Sequence, residues 1–284
     1  MNTRAIRPDG GTSQSFDTND FDGWLRPTER FSIATAIAVV VPTAGIVLSE
    51  WLLYVDSVRP ALWGYVATLL LCTLLPLRYD GETTIFGAFA LVPVFRLVNL
   101  GMPVFFDVTL LWLPLIYGPL IVAVYLVARG RMPELAPGWK WAIAGAPIAL
   151  PVAYVLATIE YDIVQPTPLV PTLDPLQVLA IAGVMIAYVA LLEEMLFRGV
   201  LQRVLERRTG RVFGLLLTSA LFGAMHSGYG SSEELAFAAA IGLVFGVVYD
   251  ITDSLALVTV MHGALNVFLY AVIPLQGSLI DVPI

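Results

Sequence analysis

Nine apolar stretches follow one another along most of the chain, at approximately 32–54, 61–77, 84–100, 104–128, 141–159, 175–198, 212–226, 235–250 and 254–273. Most approach the ~20 residues that a helix needs to cross ~30 Å of hydrocarbon. Those at 84–100, 212–226 and 235–250 are short. Composition agrees: 58% of the 284 residues are hydrophobic and 13% are charged, against about 45–50% apolar and about 25% charged in soluble domains. One water-soluble core cannot absorb that much apolar surface. The chain therefore reads as an all-α, polytopic membrane helical bundle of about eight to nine transmembrane helices. Eight is the count if 84–128 contains a re-entrant piece.

Residues 1–30 are polar, of mixed charge and without an apolar run, which predicts a disordered tail rather than a signal peptide. Short-loop charges set orientation. The loop 129–140 carries Arg129, Arg131 and Lys140, and 199–211 carries Arg203, Arg207, Arg208 and Arg211. The loops 160–174 and 227–234 hold acids and no base. Basic and acidic loops alternate as nine crossings require, which places the N-terminus in the cytoplasm, the C-terminus outside, and the protein in the cell membrane as a multi-pass species.

The net charge is −7 and fourteen of fifteen basic residues are arginine. A halophilic source or a high-GC genome would each give that bias, and nothing suggests a nucleic-acid-binding face. The single cysteine, Cys72, excludes an intrachain disulfide and reads as a small buried hydrophobe. Gly242 and Gly246 form a small-xxx-small pair suited to close helix packing.

Ionisable groups inside spans are costly and usually face a partner or a water-filled cavity. Glu193, Glu194 and Arg198 lie in "LLEEMLFRGV"; His226 ends "LFGAMH"; His262 and Asn266 lie in "VMHGALN". At about 100° per residue, Glu194 and Arg198 share a helix face and can pair, while Glu193 points about 100° away. An unpaired, desolvated carboxylate makes a better general base. His262 with Asn266, and Phe222 with His226, also have i, i+4 spacing. On a ~1.5 Å rise, Glu193, His226 and His262 lie about 15, 22 and 14 Å from flanks on the predicted cytoplasmic side, so they can meet at similar depth. Glu50, Arg96, Asp107 and Glu160 lie near predicted span ends, where snorkelling or interfacial solvation suffices.

The series EExxxR, FxxxH and HxxxN on successive membrane helices, here Glu193 to Gly199, Phe222 to His226 and His262 to Asn266, resembles the CPBP (Abi) family of intramembrane proteases. That family includes type II CAAX prenyl endopeptidases and bacteriocin-processing or bacteriocin-immunity proteins. The resemblance implies a domain over 139–274, preceded by transmembrane helices at 31–130 that the motifs do not explain. It implies an endopeptidase acting on a membrane-anchored substrate, with prenylated tails as one substrate type. By motif position, Glu193 activates water with His226 as partner. His262 and Asn266 stabilise the oxyanion, and Glu194, Arg198 and Phe222 support the site.

A metalloprotease reading is also open. Glu193, His226 and His262 supply a three-ligand set that permits a divalent metal such as zinc without demanding one; the alternative uses no metal. Partners are the lipid bilayer and a membrane-anchored peptide or protein, with no nucleic acid. Two competing functions are a non-catalytic scaffold or immunity-like protein of the same family, and a proton-coupled carrier. Confinement of the polar groups to one half of the chain argues against the carrier.

Overall fold

The computed structural model describes residues 32–101, 109–129 and 138–279. The tail expected over 1–30, the C-terminal residues, Asp107 and Arg131 lie outside the described residues. Nine long helices and no strand occur among them: α1 (Ile33–Tyr54), α2 (Val58–Leu74), α3 (Thr83–Leu100), α4 (Thr109–Arg129), α5 (Trp139–Val164), α6 (Pro175–Thr209), α7 (Arg211–Ala224), α8 (Ser232–Thr252) and α9 (Leu255–Gln276). Eight of the segments are long and apolar enough to span a membrane; the apolar part of α4, Leu110–Leu126, is shorter. The protein is a multi-pass helical membrane protein.

Helices suit this solvent because every backbone polar group within them is satisfied inside its own segment. Their starts are capped by short polar side chains. Ser32 and Thr35 form a capping box on α1, and the Ser231 and Ser254 hydroxyls accept backbone N–H groups at the starts of α8 and α9. Asp174 accepts from Leu176 and Gln177 at the start of α6, where Pro175 occupies the first turn. Donation from the Thr172 hydroxyl first, and from these N–H groups, holds the Asp174 carboxyl below its ordinary range.

Large apolar side chains such as Trp51, Trp63, Leu70, Leu115 and Ile148 point outward. Such a surface belongs against lipid rather than water. α9 is the exception: 78% of its most apolar window is buried within the protein, against 22–44% for the other spans. It runs through the centre and packs closely on α5 and α6. Its start is held by Ser254, whose hydroxyl donates to the Gly138 carbonyl at 2.8 Å. Gly138 has φ +59°, and a Cβ there would lie 2.6 Å from Ser254. Only glycine meets both the left-handed backbone and that approach.

α6 is not a uniform α-helix. Met185–Ala190 and Met195–Gln202 are wound as π-helix on either side of an α-helical Leu191–Glu194. A third π segment, Phe268–Val272, follows Asn266 in α9. Such segments occur frequently at functional sites; here two of them flank Glu193 and Glu194, the second contains Arg198, and the third follows Asn266.

Candidate active site

α3, α4, α5, α6 and α9, with the end of α7, enclose a cavity of about 330 Å³. Glu193, Phe222, His226, His262 and Asn266 all line it. The three motif helices thus bring these five side chains to one space. Glu194 and Arg198 do not line it; both are fully buried behind it.

Glu194 is the pivot of that buried layer. Its carboxylate takes Arg198 Nη1 at 3.3 Å, stands 3.2 Å from Arg198 Nε, and accepts from His262 Nδ1 at 2.7 Å. The expected Glu194–Arg198 pair is present. The link from Glu194 to His262, 68 positions away, is not encoded in local spacing. A carboxylate at Nδ1 makes that nitrogen the donor, which directs Nε2 of His262 toward the cavity. There it lies 3.8 Å from Glu193 Oε2. Among the described residues Glu193 makes no ion pair with Arg198; it projects toward His262, at a distance too long for a hydrogen bond.

The Arg198 guanidinium is buried in a cage. Nη2 donates to the Gly242 carbonyl at 2.9 Å, and the group stacks 4.6 Å from the Phe222 ring centroid, with Phe197 and Phe245 also near. Buried charge is tolerable only when paired and hydrogen-bonded, and this arrangement supplies both. The small-residue pair on α8 serves it. A Cβ at Gly242 would press on Phe222 and Ser219, and one at Gly246 would lie 2.4 Å from Leu215.

His226 Nδ1 lies 2.9 Å from the Phe222 carbonyl. A carbonyl only accepts, so Nδ1 carries the proton and Nε2 is left as an acceptor in the neutral ring. Phe222 packs against His226 with centroids 5.1 Å apart and against His262 at 6.0 Å, the apolar wall that the FxxxH spacing implied. Among the described residues, no hydrogen bond joins His226 to Glu193; they share the cavity.

Metal ligation is a separate question of grouping. Among the described residues, no three His, Cys, Asp or Glu side chains are gathered so as to hold a metal ion. Glu193, His226 and His262 do not form that set in this arrangement, with one His262 nitrogen already committed to Glu194.

The reading of Glu50, Arg96 and Glu160 as interfacial charges is corrected by the fold. All three are buried, and Arg96 and Glu160 line the cavity. Arg96 makes a bidentate pair with Glu50, Nε to Oε1 at 2.7 Å and Nη2 to Oε2 at 2.8 Å. Ser227, the residue after His226, donates to Glu50 Oε2 at 2.5 Å. Asn99, Tyr117, Tyr229 and Tyr270 are further polar lining residues that sequence reasoning missed. The signal available in the sequence is that Glu50 and Arg96 are opposite charges within apolar runs.

Comparison with known proteins bears on the same segment. The family model described as type II CAAX prenyl endopeptidase, Rce1-like, matches residues 175–268. These residues run from the start of α6 into α9 and contain all three motifs. No match was found among curated proteins or among solved structures.

Proposed function

From the premise that residues 175–268 carry an Rce1-like type II CAAX prenyl endopeptidase domain, we propose that the chain is an intramembrane endopeptidase. It hydrolyses a peptide bond in a membrane-anchored substrate, prenylated tails among the candidates, with water activated by Glu193 and His226. The observation that carries this reading is the shared cavity: a carboxylate, two imidazoles and an amide line it, with one imidazole oriented from behind by a buried Glu–Arg pair.

The roles follow from donor and acceptor logic. Water sits between the Glu193 carboxylate and Nε2 of His226, both acceptors. Its oxygen attacks the scissile carbonyl carbon while its proton passes to Glu193. The carbonyl oxygen becomes an oxyanion, stabilised by the Asn266 amide and by His262. For His262 to donate from Nε2 it has to be doubly protonated, because Nδ1–H is already given to Glu194. Collapse of the tetrahedral intermediate breaks the C–N bond. Glu193 returns the proton to the leaving nitrogen, leaving a new carboxyl group and a free amine. Low-dielectric surroundings strengthen each of these aimed groups. No step requires a metal.

The test is cleavage of a panel of prenylated and unmodified membrane-anchored peptides by purified protein. Wild type is compared with Glu193→Gln, with and without a chelator. Cleavage lost in Glu193→Gln and unaffected by chelator is expected. No cleavage by folded wild type across the panel counts against the enzyme and for a scaffold; loss of cleavage on chelation replaces the metal-free mechanism.

A further inference from the structure

The wall of the cavity contributed by α3 and α4 lies outside the matched segment 175–268, and its hydrogen bonds run in one direction only. Glu50 accepts both Arg96 Nε and Nη2. Arg96 Nη1 faces Asn99 Oδ1 at 3.4 Å. A guanidinium only donates, so this contact orients the Asn99 amide: the oxygen is turned to Arg96 and Nδ2 to Tyr117, whose hydroxyl oxygen lies 2.6 Å away. An amide NH₂ also only donates. The Tyr117 oxygen must therefore accept, and its own proton has to leave in another direction.

Tyr117 is 3% exposed and lines the cavity together with Glu193. Among the described residues Asn99 is its one hydrogen-bond partner. A phenol O–H so deeply buried is costly to leave unmatched. The Tyr117 ring is held edge-on against Phe95, centroids 5.6 Å apart, so the hydroxyl cannot swing far to find a partner elsewhere.

We infer that the Tyr117 hydroxyl is a substrate-binding donor, directed into the cavity by the relay Glu50–Arg96–Asn99 and hydrogen-bonded to a backbone carbonyl of the bound peptide. This rests on the endopeptidase reading above and adds to it a residue from the N-terminal helices. Asn99, Arg96 and Glu50 are positioning residues that act through Tyr117. The ligand class is an uncharged carbonyl acceptor, since among the described residues of this wall the charge facing the cavity, Arg96, is already neutralised by Glu50.

The experiment uses full-length protein in detergent with an internally quenched farnesylated peptide and its unprenylated counterpart. Wild type, Tyr117→Phe, Asn99→Leu and the double variant are compared, with Glu193→Gln as the inactive control. Tyr117→Phe removes one oxygen and keeps the ring. It is expected to lower kcat/KM about threefold to tenfold, mainly through KM, and to lower the melting temperature as well, because Asn99 Nδ2 loses its acceptor; the KM effect, not the melting temperature, carries the test. Asn99→Leu should cost a similar factor alone and little on top of Tyr117→Phe, because it acts through that hydroxyl. Tyr117→Phe within twofold of wild type, or Asn99→Leu costing the same in both backgrounds, would overturn the assignment while leaving the endopeptidase intact. If wild type shows no Glu193-dependent cleavage, the endopeptidase reading fails. Binding of the uncleaved farnesylated peptide to Glu193→Gln then decides Tyr117: weaker binding on adding Tyr117→Phe supports the donor, and equal or absent binding refutes it.

Discussion

Glu194 does two jobs with one carboxylate: it neutralises Arg198 and orients His262. Removing its charge while keeping its shape separates it from bulk packing. Glu194→Gln leaves the Arg198 guanidinium buried without a counter-charge, a class of change that costs about 3–5 kcal/mol. It also loosens His262. Both a lower melting temperature in detergent and a kcat reduced by at least about tenfold are expected; an unchanged kcat would show that His262 is oriented by something else. Arg198→Lys is expected to be milder. It keeps the charge, but a single ammonium cannot reproduce the fork that reaches Glu194 and the Gly242 carbonyl together. The pairing of Glu194 with Arg198 was legible in the sequence because i, i+4 geometry is local. The pairing with His262 was not, because it depends on how two helices rotate against each other.

At the scale of elements, the site depends on how closely α9 lies on α6. Gly263 sits beside His262, and a Cβ there would fall 2.5 Å from Ile186 Cγ1 and 2.7 Å from Ile186 Cα. The second of these is backbone and cannot rotate away. Ile186 belongs to the first π segment of α6. Gly263→Ala is therefore expected to push the two helices apart at the level of the site, at a cost of about 1–3 kcal/mol. Peptide cleavage should fall more than melting temperature does, since Glu194 and His262 are separated before the bundle is lost. Activity equal to wild type would mean that the pair tolerates displacement. Apolar length foretold that these helices exist. It carried no trace of the π segments; the second, Met195–Gln202, changes the angular offset that the ~100° rule assigns between Glu194 and Arg198.

Across the molecule, side-chain hydrogen bonds among the described residues tie the N-terminal helices to the motif-bearing half around Glu82 and around Glu50. Glu82 accepts from Thr35 at 2.8 Å and from Arg208 at 3.0 Å. Glu50 joins Arg96 to Ser227. Glu50→Gln strips the counter-charge from Arg96 and weakens the hold on the residue after His226. We expect a lower melting temperature by thermal shift and weaker cleavage, whereas a purely lipid-facing role for α1 and α3 predicts neither. Orientation in the membrane is a separate expectation. Native Cys72 is buried, so single cysteines introduced at the exposed positions Arg207, in the last turn of α6, and Gly228, in the turn after α7, report sidedness. Arg207→Cys should be labelled from the cytoplasm and Gly228→Cys from outside; the reverse pattern would invert the topology.

The sequence by itself determined the solvent of this protein and the polar groups of its three motifs. Long apolar runs force membrane helices, because lipid offers backbone groups no partner. Polar side chains survive inside such runs only where something meets them, which is why Glu193, Glu194, Arg198, His226, His262 and Asn266 stood out. Tertiary structure decided who meets whom. It joined Glu194 to His262 and turned Glu50 and Arg96 from apparent interfacial charges into a buried pair. It also brought Tyr117, a residue with no motif around it, to the wall of the cavity. The physical reason is one of range. Spacing along a helix fixes a side chain's direction relative to its own axis, while helix rotation, crossing and winding, set by packing across the whole bundle, fix what lies in that direction.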